Sequence, residues 1–102
     1  MSVRIICVAV LAVTLIGCDG RPLGKHVFQS RCSACHTLTG HDTSIDGGDL
    51  AIGRMSVAGV ESFARIMPVR PRLTSAELHA VAAYVVDRRE TLQTRARGHS
   101  VR

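Results

Sequence analysis

The pentapeptide Cys32-Ser33-Ala34-Cys35-His36 constrains this chain more than any other stretch of it. Two intervening residues set the thiols about one helical turn apart, and the next residue projects an imidazole from the same side. Three chemistries use such a pair of thiols. Thiol–disulfide exchange places Cys-x-x-Cys where a strand runs into a helix. No β-branched strand precedes Cys32, and Lys25 to Arg31 reads as helix. Structural zinc needs four ligands; there is no second Cys-x-x-Cys, only scattered histidines. Covalent haem attachment uses Cys-x-x-Cys-His as it stands, with both thiols converted to thioethers and the histidine on the iron. The spacing and its setting favour the third chemistry.

The remaining cysteines, Cys7 and Cys18, do not extend this into a disulfide framework. Arg4, an apolar run from Ile5 to Ile16 and the small residue Gly17 have the layout of a secretory signal peptide over 1–17. The run is shorter than the roughly 20 residues a membrane-spanning helix needs. Leu15-Ile16-Gly17-Cys18 resembles the lipobox of bacterial lipoproteins. That resemblance implies cleavage before Cys18, lipidation at Cys18 and, with two or more acyl chains, a stable anchor. Asp19 resembles the inner-membrane retention signal of enteric lipoproteins. The implied location is the periplasmic face of the bacterial cytoplasmic membrane, with a soluble periplasmic protein as the alternative. Cys7 leaves with the signal, so Cys32 and Cys35 are the only thiols expected in the folded part.

A chain running from 18 to 102 is marginal for a domain without a metal, disulfides or a cofactor. Its aromatic bulk is limited to Phe28, Phe63 and Tyr84. A large apolar cofactor would serve as the centre of such a core. The expected division is an anchor and linker at 18–23, one domain at 24–92 and a basic, mobile tail at 93–102. The formal net charge is +5, and much of it lies between Arg88 and Arg102. In an exported chain this favours anionic lipid or an acidic protein partner over nucleic acid.

The helical signals are spread along the chain, and no convincing strand pattern appears. A first helix is expected from about Gly24 into the pentapeptide, with Gly24 and Phe28 on one face. A second is expected at 57–66, capped by Ser56, with Val60, Phe63, Ala64 and Met67 at matching offsets. Thr74 and Glu77 form a capping box for the last helix. Leu78, Val81, Ala82, Val85 and Val86 then follow a buried helical stripe, which is expected to end near Glu90. The fold class is therefore all-α.

From Gly24 to about Arg89 the chain resembles the class I cytochrome c family. The matching pieces are GKHVFQSRCSACH, GGDLAIG, IMP and LTSAELHAVAAYV, in the family's order. The resemblance implies a small helical domain around one covalent haem c, held by Cys32 and Cys35 with His36 as an axial ligand. It also implies that Gly24 and Phe28 pack against the last helix.

The resemblance points to methionine as the second iron ligand. Met67 precedes Pro68, which ends a helix and stiffens the turn after it; this matches the family's ligand loop. The simpler role for Met67 is to complete the apolar stripe of its helix. Met55 reads as core or loop. His41 is too close to His36 to pass round the edge of the haem, and His26, His79 and His99 read as surface residues. The short Thr43–Gly48 segment must cover one haem edge, and no tryptophan is available there. An exposed propionate edge is expected, with Arg70 or Arg72 as its partner.

The expected function is electron transfer rather than enzymatic catalysis. The chain would be a membrane-tethered carrier, or an electron-transfer subunit, in a respiratory or dehydrogenase chain, with membrane redox complexes as partners. The alternatives are a haem-based sensor of small ligands and a haem-free Cys-x-x-Cys thiol oxidoreductase.

Overall fold

Caps and stop residues decide where the helices of this chain lie. The computed structural model describes residues 21–100; the expected signal peptide at 1–17 and the lipidated Cys18 lie outside them. Helix α1, Arg21–Val27, runs into a wider turn over Phe28–Cys32. In that turn the Ser33 amide donates to Phe28 O, five residues back, at 2.9 Å. Such π-type turns are rare and gather at functional sites. The amides of Cys35 and His36 then both donate to Cys32 O, at 3.1 and 3.0 Å. The pentapeptide is thus one tight turn gathered on a single carbonyl.

Helix α2, Val57–Ile66, begins where Ser56 accepts the Gly59 amide at 3.1 Å. It stops where Pro68 forces Met67 into extended backbone, φ −66° and ψ 146°. Helix α3, Ser75–Ser100, opens on the capping box: the Thr74 amide donates to Glu77 Oε1 at 2.9 Å, and the Glu77 amide donates to Thr74 Oγ1 at 3.2 Å. The sequence expectation ended this helix near Glu90, but it continues to Ser100. Thr91–Arg97 contains no proline or glycine and is built largely of good helix formers, so nothing local stops it. Arg97 and His99 in the last turn also suit the negative end of the helix dipole.

Helix α1 crosses α3 at Gly24. A Cβ there would run into the Ala80 carbonyl oxygen and lie 2.7 Å from Tyr84 Cβ, so only glycine permits the approach. One turn on, the Phe28 and Tyr84 rings lie 6.0 Å apart at 51°, a tilted aromatic pair. Val27, Phe28, Val81 and Val85 make the core cluster. The expected α3 stripe is buried at Leu78, Val81, Ala82 and Val85, and half-buried at Val86.

Among the described residues there is no strand; Thr37 and Asp49 form one isolated bridge that closes the intervening loop. The fold is all-α. No described helix is long and apolar enough to cross a membrane. Helix α2 buries none of its residues fully. Its Val60 packs against the core cluster, and Val60, Phe63 and Ala64 also line a cavity, which positions the site.

Candidate functional site

The cavity lies between α2, α3, the pentapeptide turn and the loop at 47–55, and it is open to solvent on one side. Its volume is about 290 Å³, just below the roughly 300–1,000 Å³ usual for cofactor sites. Val60, Ala64, Val81 and Val85 give it apolar walls. Phe63 stands on its rim, 53% exposed, as do Met55 at 40% and Met67 at 38%. Large apolar side chains left this open around one hollow mark a surface built to be covered.

Polar donors are few. His36 contributes its imidazole to the wall. Its Nδ1 lies 3.3 Å from Gly48 O. With the proton on Nδ1, that nitrogen donates to the carbonyl and Nε2 keeps its lone pair. This arrangement, a backbone carbonyl fixing the tautomer of a metal-ligating imidazole, recurs in metal sites. Gly47 makes it possible, because a Cβ there would sit 2.7 Å from the His36 ring. Gly48 has φ +81°, the left-handed region that favours glycine.

Asp49 holds this loop in shape. It is 8% exposed, yet its carboxylate accepts hydrogen bonds from six groups. These are the Thr39 hydroxyl at 2.6 Å and the amides of Thr39, Gly40, His41, Asp42 and Ala51. Burial pushes its pKa up, but the Thr39 hydroxyl and the Ala51, Asp42 and Gly40 amides outweigh that. They hold Asp49 far below the usual carboxylate range. Sequence reasoning missed this residue; the only trace of it is the Gly-Gly-Asp at 47–49.

Of the expected site residues, Cys32, His36 and Met67 come together on the cavity wall. Cys35 stays outside it, exposed, one residue before His36. Both thiols are free. Burial pushes the Cys32 thiol above its ordinary pKa, with Arg31 opposing in part. Exchange chemistry calls for the opposite shift. Met55 also lines the cavity, so two thioethers face the same space rather than one. His26, His41, His79 and His99 are all exposed; the His79 ring lies 3.6 Å from Glu61 Oε2. Arg70 and Arg72 are exposed too, and Arg72 borders a different hollow. The arginine on the His36 cavity is Arg89.

Among the described residues no three His, Cys, Asp or Glu side chains gather as a multidentate metal cage, so a zinc-type site is not assembled there. One oriented imidazole, two thioethers, a thiol and apolar walls do fit a haem, which brings four of its own ligands to the iron. Compared with known proteins, the chain matches no family model, no curated protein and no solved structure. The functional reading therefore rests on the chemistry of the site.

Proposed function

We propose that this chain is a small c-type cytochrome that carries electrons, with haem held covalently by Cys32 and Cys35. The observation that supports this reading is the oriented imidazole of His36 on the wall of an apolar cavity that also carries Cys32 and Met67. Bound there, haem supplies an iron that alternates between Fe(II) and Fe(III).

The chain's own residues set how that happens. His36 would hold the iron through Nε2, with Gly48 O keeping the ring in place. Met67, extended between α2 and Pro68, would be the second residue to hold the iron. With two residues holding it, the iron would not take a substrate, which suits electron transfer. Val60, Val81 and Val85 give the cofactor apolar walls, and apolar surroundings with a thioether ligand favour a high potential. The open side near Phe63 brings the cofactor edge toward a partner. Lipidation at Cys18 and membrane attachment belong to the same proposal, as they would concentrate the carrier near membrane redox complexes.

Expression alongside a c-haem maturation system tests the reading. The expected product stays red through a denaturing gel and gives the haemochrome spectrum of thioether-linked haem. Colourless protein, or haem that separates on the gel, would overturn it. The sensor alternative makes a different forecast: its reduced form would bind carbon monoxide at neutral pH, whereas the electron carrier does not.

A further inference from the structure

Arg89 is the one described arginine that is buried, at 7% exposure. Its guanidinium carries five donors and no acceptor. It makes one hydrogen bond among the described residues, Nη2 donating to Met55 O at 2.7 Å. The ion pairs among those residues involve Glu61 with Arg65 and with His79, and none includes Arg89. Asp49 borders the same cavity but is saturated by six other donors. A buried cation with most of its donors unassigned carries a large desolvation cost unless an anion meets it.

The place of Arg89 says where that anion comes from. It lines the His36 cavity, and together with Gly53 it also lines an adjoining cleft of about 640 Å³ that carries Arg54 and Arg97. Glu90 is the one acidic residue there. The mostly apolar cavity therefore has one cationic corner, at Arg89 and Gly53, leading into a basic cleft. A flat apolar ligand with acid groups along one edge would meet its countercharge at this corner.

We infer that Arg89 is the anchor for a carboxylate of the group filling the cavity, a haem propionate on the reading above, and that it sets the cofactor's orientation. The inference rests on that reading. Its fork geometry suits bidentate pairing with a carboxylate. The bond to Met55 O ties the same side chain to the loop at 47–55, so cofactor loading and loop closure share one residue. Arg70 and Arg72, the arginines the sequence pointed to for this role, are exposed and do not line the cavity.

The test uses the haem-loaded full chain and its Arg89→Gln and Arg89→Lys variants. Proton NMR of the reduced wild-type protein should give cross-peaks between the propionate methylenes and the Arg89 side chain. Removing a buried positive charge destabilises Fe(II) relative to Fe(III), so Arg89→Gln should lower the midpoint potential. Arg89→Lys should restore most of the shift. Haem bound with both propionates remote from Arg89, or an unchanged potential in folded Arg89→Gln, would overturn the role of Arg89 and leave the cytochrome reading intact. Failure of the wild-type chain to take up haem would overturn both. If Arg89→Gln does not fold, the wild-type cross-peaks decide.

Discussion

His36 and Asp49 are linked through a short piece of backbone. Gly48 O takes the imidazole Nδ1, and the next residue pins the loop from Thr39 to Ala51. Asp49→Asn removes the charge behind six hydrogen bonds, and bonds to a charged group contribute about 1.5–3 kcal/mol each. The variant should lose at least about 2 kcal/mol in urea denaturation. The pH dependence follows from the sign of the shift. Because the folded pKa of Asp49 is depressed, its contribution is fully present above the unfolded carboxylate value of about 3.9. It is lost as pH falls below that value toward the folded one. Wild-type stability should decline in that acid range, and Asp49→Asn should flatten the decline. The thioethers make a second forecast. Met67→Ala should abolish the weak red absorption of sulfur–iron ligation, and Met55→Ala should leave it in place. The reverse result would assign the iron to Met55, which shares the cavity wall.

Two elements depend on contacts that single substitutions probe cleanly. The α1–α3 crossing needs the bare backbone of Gly24, because an added Cβ meets the Ala80 carbonyl and Tyr84. Gly24→Ala should cost about 1–3 kcal/mol through overpacking, read as a lower denaturation midpoint, with the helical signal of the folded protein kept. Ser56 caps α2, the helix with no fully buried residue of its own. Ser56→Ala should cost about 1 kcal/mol and loosen the cavity wall before the α1–α3 core. The starts of α2 and α3 were legible in the sequence because Ser56 and the Thr74/Glu77 box act over three residues. The end of α3 was not. Lack of an apolar period suggested a free tail, but good helix formers over Thr91–Arg97 carry the helix past Glu90, and Gly98 does not end it before Ser100.

At the scale of the molecule, the described core is one cluster of four buried residues with a hollow beside it. The sequence already implied such a domain, since the pentapeptide, few aromatics and short length all call for a large apolar group at the centre. It identified Cys32, His36 and Met67, which share the cavity. It did not reveal Arg89 or Asp49, because their roles depend on neighbours distant in sequence. Arg89 reads as one more cation in a basic run until Met55 O and the cavity are in place beside it. Asp49 reads as a loop residue until the chain closes around it. If haem completes this core, the loaded protein should melt well above the chain without it, because folding then buries the apolar surface of the attached group.

Intact mass spectrometry of the protein produced with c-haem maturation factors tests the central claim most directly. The account expects one haem added to each chain, with both Cys32 and Cys35 unreactive to thiol reagents after denaturation, and no addition in the Cys32→Ser/Cys35→Ser variant. A wild-type mass without haem, and two free thiols at 32 and 35, would contradict it.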